Sequence, residues 1–160
     1  MKKKYLTTTI IVLGVLFLDQ SSKLYIDRVI PLHHSVQIVK DFFHITHVRN
    51  TGAAFGFLAG QVGGLKSVFF VTISVVAILT ILFFLRNLKD NQTPLLLSLS
   101  LIMGGAVGNL TDRVRLGEVI DFIDLHWHTY HWPTFNVADC AITIGGVFLI
   151  IDVVFRKGDS

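Results

Sequence analysis

The stretch SVFFVTISVVAILTILFFL, Ser67 to Leu85, carries no ionisable side chain in nineteen residues. As a helix rising ~1.5 Å per residue it is about 28 Å long, close to a hydrocarbon core of roughly 30 Å. Lipid offers no water to backbone N–H and C=O groups, and a helix satisfies them internally. This stretch therefore reads as a membrane span. Three others stand beside it. Tyr5 to Ile26 is uncharged until Asp19 and follows Met1-Lys2-Lys3-Lys4. It ends in Phe17-Leu18-Asp19-Gln20-Ser21-Ser22-Lys23, without the Ala-x-Ala pattern of a cleaved secretory signal, so it is expected to be retained. Thr93 to Thr111 follows Asn91-Gln92, a cap, with Pro94 where a helix starts, and stays uncharged until Asp112. Val137 to Phe155 holds Asp139 near its start and Asp152 near its end.

Composition agrees with this reading. Of 160 residues, 52 % are apolar and 16 % charged, against roughly 25 % charged in a soluble domain. Mean hydropathy is +0.64. This balance argues against a water-soluble globule. The net charge of +3 comes from scattered bases, which points to membrane orientation and to no nucleic-acid partner. Cys140 is the single cysteine, so neither an internal disulfide nor a cysteine metal cage is possible. The sequence predicts one integral membrane domain, all-α in class. Its spans are about 5–26, 67–85, 93–111 and 137–155, and its outer segments 27–66 and 112–136.

The bases set the orientation. Met1 to Lys4, the Arg86-to-Asp90 turn and the tail from Arg156 hold seven of the fourteen Lys and Arg residues in a short length. The other seven are spread over segments several times longer, so the dense positive charge, and with it both termini, is expected on the cytoplasmic side. All seven histidines fall in the outer segments, as do Trp127, Tyr130 and Trp132, which suit a membrane-interface belt. Within 27–66, Ser35 to Val39 and Phe43 to Val48 are rich in β-branched and aromatic residues and predict short strands between helices one and two. Asn50 to Gly60 follows, apolar and punctuated by Gly52, Gly56 and Gly60. It is too short to span, and with Phe55, Phe57 and Leu58 facing lipid it reads as a flap lying in the interface.

Ionisable groups in a membrane are costly, so their positions carry the information. With alternating helix directions, Asp19 and Lys23, Asn109, Asp112 and Arg113, and Asn136 and Asp139 all fall at outer helix ends, with Asp121 close behind. Asp19 and Lys23 are spaced i, i+4 and are equally well read as a neutral pair on one helix face. Asp112 with Arg113 fits an ordinary helix-end pair equally well, and Asp152 with Arg156 is best read as structural. Asp139 and Asp121 differ, because apolar neighbours surround both and neither has an evident basic partner in sequence. Two such carboxylates at one depth are what an acid pair that activates water requires. Gly104 and Gly108 form a G-x-x-x-G pair that lets another helix come close and brings Asn109 and Arg113 into tight contact with it.

Other chemistries find little support. There is no H-E-x-x-H and no G-x-S-x-G, and Ser21, Ser22 and Lys23 are too close in sequence to face one another on a helix. His126, His128 and His131 read as interfacial side chains before metal ligands, and Cys140 lacks a neighbouring histidine to activate it. No metal or cofactor is expected. An ion or proton transporter using Asp19, Asp121 and Asp139 as a relay is the alternative from another class, although segment two offers such a path no polar group. A scaffold protein would leave the gathered carboxylates unexplained.

Five blocks in order, Asp19-Gln20-Ser21-Ser22-Lys23, Asn50 to Gly56, Gly104 to Arg113, Val119-Ile120-Asp121-Phe122 and Phe135 to Asp139, resemble the signature blocks of bacterial lipoprotein signal peptidases (signal peptidase II). The resemblance covers nearly the whole chain. It implies an aspartic endopeptidase of the bacterial inner membrane, working near the outer leaflet without metal or covalent intermediate. Its substrates would be diacylglyceryl-modified prolipoproteins, reached through membrane lipid and cut just before the lipidated cysteine. By matching positions, Asp121 and Asp139 would be the catalytic dyad, with Asp19, Lys23, Asn50, Asn109, Arg113 and Asn136 as polar residues around it. A strand-forming periplasmic cradle would correspond to the outer segment between helices one and two. Cys140 departs from the pattern, since serine is frequent there, and the dyad chemistry does not call on a hydroxyl at that position.

Overall fold

The computed structural model describes residues 2–52, 63–89 and 91–156. Four long helices, α1 (Lys2–Val29), α2 (Gly63–Asn87), α3 (Thr93–Leu116) and α4 (Val137–Arg156), carry the apolar stretches. Each is long and apolar enough to cross a membrane. Their outward faces, with Phe17, Val76, Phe83 and Ile150, are exposed and apolar as lipid contact demands.

The central helix is α3, which packs against α1, α2 and α4. Small residues make this possible. A Cβ at Gly104 would stand 2.9 Å from the Val15 Cβ of α1, and one at Gly108 would stand 2.6 Å from an Asp19 carboxylate oxygen. On the α4 side, Gly105 lies against the Ala138 carbonyl, and a Cβ at Gly145 would meet the Ser98 carbonyl at 2.7 Å. The G-x-x-x-G pair thus admits another helix closely, as expected, and that helix is α1, while Gly105 and Gly145 make the α3–α4 approach that the sequence reading did not single out. Toward α2, Ile81, Leu85 and Leu88 pack with Leu96, Leu99 and Met103 in an apolar core.

Strands β1 (Ser35–Val39), β2 (Phe43–Asn50), β3 (Val119–Trp127) and β4 (Tyr130–His131) form one antiparallel sheet in sequence order. The all-α class is therefore corrected. The cradle takes β1 and β2 from between α1 and α2, as expected, but β3 and β4 from between α3 and α4. Residues 119–127 escaped notice because Val119 to Phe122 are all buried and do not alternate; the apolar–polar alternation that marks a strand is confined to Ile123 to Trp127. Helix α3 also runs past the expected end at 111 to Leu116, which puts Asp112 and Arg113 inside it. Gly117 then takes a left-handed φ of +78° and donates its N–H to the Arg113 carbonyl, closing the helix and turning the chain into β3.

Register fixes what faces what. Val48 is opposite Asp121 and Asn50 opposite Val119, beyond an irregularity between Ile45 and Val48. After β4 the chain returns along β3: the Phe135 carbonyl accepts from the N–H groups of Phe122 and Ile123, and its own N–H donates to Ile123. This sews the start of α4 to the strand carrying Asp121. A second apolar cluster, Ile26 and Ile30 with Ile120 and Phe122, fastens the strand to the end of α1.

Candidate active site

At the end of the bundle beneath the sheet, five elements contribute polar side chains to one buried nest. Lys23 of α1 is 1 % exposed, and its Nζ lies 2.9 Å from Asp19 Oδ2 and 2.8 Å from Asp112 Oδ2. It also donates to Asn109 Oδ1 at 3.0 Å. All three ammonium N–H groups are thereby used, and two carboxylates share one cation. Burial of such ions is tolerable only with their remaining lone pairs satisfied. Gln20 Nε2 donates to both Asp19 and Asp112 at 3.0 Å, the Ile120 N–H reaches Asp112, and the Ala138 N–H donates to Asp19 Oδ1 at 2.9 Å. Through that last bond, a carboxylate of α1 supplies negative charge at the amino terminus of α4, where the helix dipole favours it.

Helix α4 begins with a reciprocal cap. The Asp139 N–H donates to Asn136 Oδ1 at 3.0 Å, and the Asn136 N–H donates back to Asp139 Oδ2 at 3.2 Å. This is the capping-box arrangement with Asn and Asp in its two roles. It fixes the Asp139 side chain, whose other oxygen accepts from Asn109 Nδ2 at 2.8 Å. The Asn136 amide meanwhile donates to Asp121 Oδ1 at 2.6 Å, so one asparagine holds both carboxylates. Asn50 Nδ2 donates to the other Asp121 oxygen at 2.9 Å, its own orientation set by the Gly52 N–H on its Oδ1.

Asp121 is 1 % exposed. Burial pushes its pKa up to about 6, and the nearby Asp139 charge pushes the same way; the hydrogen bonds from Asn50 and Asn136 and the charge of Lys23 pull it down without prevailing. Arg113 lies within electrostatic reach of Asp139, Asp121 and Asp112. Its guanidinium stands over the Phe70 ring of α2 at 5.3 Å, and the same ring packs against Gly52, whose φ is +82°. The arrangement contains what water activation needs: two carboxylates close enough to interact, each held by amide donors and neither tied up in an ion pair among the described residues.

The expected residues Asp19, Lys23, Asn50, Asn109, Asn136, Asp121 and Asp139 converge as foreseen, with Gly104 and Gly108 behind them and Gly52 and Arg113 at the rim. Phe55 and the rest of the flap stretch beyond Gly52 lie outside the described residues. The Asp19–Lys23 pair is made, but as part of the buried nest and not on a surface. Asp112 does not pair with its neighbour Arg113; it faces α1 and binds Lys23. Its place in the series Gly104, Gly108, Asp112, each four residues from the last, put it on that face and was the signal available. Gln20 and Phe70 were missed, since an amide and a lipid-side phenylalanine carry no mark in sequence. His131 is held by Asp124 at 2.8 Å and stacks on His126 at the sheet edge, away from the nest.

A polytopic apolar bundle with its ionisable groups gathered around two amide-held carboxylates has the make-up of a membrane-embedded aspartic peptidase. Comparison with known proteins gives the family: the family model "Signal peptidase (SPase) II" matches residues 11–155, and the chain belongs to that family. It is similar to the lipoprotein signal peptidase of Geobacter sulfurreducens, 49 % identical over 154 residues covering 96 % of this chain and 95 % of the relative. It is likewise similar to that of Syntrophus aciditrophicus, 45 % identical over 159 residues covering 99 % of each. Two solved structures, each described as a bacterial membrane enzyme determined by the in meso method, superpose with TM-scores of 0.83 and 0.80. They are 33 % and 36 % identical, and the matches cover 96 % and 92 % of this chain and 91 % and 92 % of theirs. The chain is thus a multi-pass membrane protein and an aspartic peptidase of the signal peptidase II type that processes lipoprotein precursors, which sets the transporter reading aside.

Proposed function

We propose that Asp121 and Asp139 are the catalytic dyad, and that the enzyme cuts diacylglyceryl-modified prolipoproteins just before the lipidated cysteine. The observation that carries this reading is the Asn136 bridge, which holds both carboxylates in one polar nest. Two interacting carboxylates do not ionise together readily, so the pair retains one proton. Burial raises the pKa of Asp121, which supports its role as the acid of the pair. Asp139, in the first turn of α4 and accepting two N–H donors, takes the part of the base.

Asp139 takes a proton from water as the oxygen attacks the scissile carbonyl, and Asp121 gives its proton to the carbonyl oxygen. On collapse of the tetrahedral intermediate, protons pass to the leaving amine and back to Asp121, so the dyad ends with the single proton it began with. Arg113 and Asn50 flank the carboxylates and are assigned to binding substrate backbone. Asp19, Lys23, Asn109 and Asn136 hold the dyad in place.

The orientation proposed has both termini in the cytoplasm and the nest near the outer leaflet of the bacterial inner membrane. It is supported by the density of Lys and Arg at the opposite end of the bundle and by exposed Trp127, Tyr130 and Trp132 on the sheet side. Substrate, already anchored by lipid and signal helix, arrives by lateral diffusion. The test is incubation of the purified protein with a diacylglyceryl-modified prolipoprotein and with its unmodified counterpart. Release of signal peptide from the modified form alone is expected; equal release from both would overturn the lipid requirement.

A further inference from the structure

The polar side chains of the nest come from α1, β2, β3, α3 and α4. Helix α2 contributes a ring. Phe70, half-buried near the start of the uncharged run of α2, has the Arg113 guanidinium over its face, with the Arg113 Cζ 5.3 Å from the ring centroid. The same ring fills the space beside Gly52, where a Cβ would overlap it. Gly52 donates its N–H to Asn50 Oδ1, and Asn50 donates to Asp121. One ring therefore touches two of the parts that surround the carboxylates.

Arg113 is itself half-buried and within electrostatic reach of Asp139, Asp121 and Asp112. Among the described residues, however, no carboxylate comes within ion-pair distance of its guanidinium, and no acceptor takes a hydrogen bond from it. A guanidinium carries five N–H donors, and a carboxylate partner would engage two of them in a bidentate pair. An aromatic face works differently. Its negative quadrupole attracts the charge as a whole, so it restrains the long side chain without committing the donors to a protein acceptor. Those donors stay available to peptide carbonyls. Without the ring, the three nearby carboxylates would draw the guanidinium into an ion pair and take its donors from the substrate.

We propose that Phe70 is a positioning residue for substrate binding: its ring holds Arg113 beside the dyad with its donors free, and seats Gly52, and through it Asn50, on the other side. This rests on the assignment of Arg113 and Asn50 to substrate backbone made above. Loss of the cation–π attraction at a half-buried site should weaken substrate binding about fivefold. Binding lost equally from ground and transition states raises KM and leaves kcat in place.

The test replaces Phe70 in the full-length enzyme by 4-fluoro-, 3,5-difluoro- and 3,4,5-trifluorophenylalanine, which weaken the quadrupole stepwise at nearly constant shape. For each, kcat and KM are measured on a lipidated prolipoprotein peptide. The Kd of the same peptide with an N-methylated scissile amide, which needs no turnover, is read beside them. The series is repeated with Arg113→Gln. KM and Kd should rise with each step to about fivefold at three fluorines, with kcat held within about twofold and the melting temperature unmoved. In Arg113→Gln the baseline Kd should be raised and fluorination should add nothing. A flat series, or the same rise without Arg113, would overturn the role of Phe70 while leaving Arg113 in the site. A parental Kd for Arg113→Gln would overturn the assignment of Arg113 to substrate, and the role of Phe70 with it.

Discussion

Asn50 donates to Asp121 at 2.9 Å, and that bond lowers a pKa that burial, against it, still carries up to about 6. Asn50→Ala removes the donor and leaves the burial. A hydrogen bond to a charged group contributes about 1.5–3 kcal/mol, of which the neutral acid retains a part. A differential of about 1.4 kcal/mol between the two protonation states corresponds to one pKa unit. The sign follows from which form the donor favours: without it the carboxylate is less stable, the proton is held to higher pH, and the acid member of the dyad survives further into the alkaline range. The alkaline limb of kcat/KM, which reports the free enzyme, should therefore move upward by about one unit. The assay is cleavage of a lipidated peptide across pH for parent and variant. Asn50→Ala also frees the Gly52 N–H, which can lower the plateau but not move the limb. A lower rate with an unmoved limb, or a limb displaced to lower pH, would refute the assignment of the proton to Asp121.

Lys23→Met would leave Asp19 and Asp112 buried without their shared cation, a loss of about 3–5 kcal/mol that thermal unfolding in detergent would register; adding Asp112→Asn should recover part of it. Gly105→Ala should destabilise by roughly 1–3 kcal/mol, because its Cβ meets the Ala138 backbone carbonyl, whereas Gly146→Ala, with open space around it, should not. Equal melting temperatures for the two glycine variants would contradict the close α3–α4 approach.

The helices were legible because a span needs a long uncharged run, and lipid allows few alternatives. The nest was legible for a related reason: charged and strongly polar side chains are so unwelcome in such segments that Asp19, Lys23, Asn109 and Asp139 stand out by position alone. What sequence did not reveal depends on register between distant elements. That β3 pairs with β2, and so brings Asp121 beside Asn50, depends on a strand whose buried first half, Val119 to Phe122, carries no alternation. That Asp112 prefers Lys23 to Arg113 follows from the direction of one helix face, visible only once Gly104 and Gly108 are known to meet α1. The double role of Asn136, capping α4 while holding Asp121, depends on Phe135 being sewn to β3.

The central claim is that Asp121 and Asp139 share the chemistry and that neither suffices alone. The most direct measurement is the turnover of lipidated prolipoprotein by Asp121→Asn, Asp139→Asn and Cys140→Ser, each purified and compared with the parent for folded yield. Both asparagine variants should remain folded in the membrane fraction and lose cleavage by a factor of about a thousand or more, as loss of a dyad member demands, while Cys140→Ser keeps the parental rate. Near-parental turnover by either asparagine variant would remove that residue from the mechanism and contradict the account.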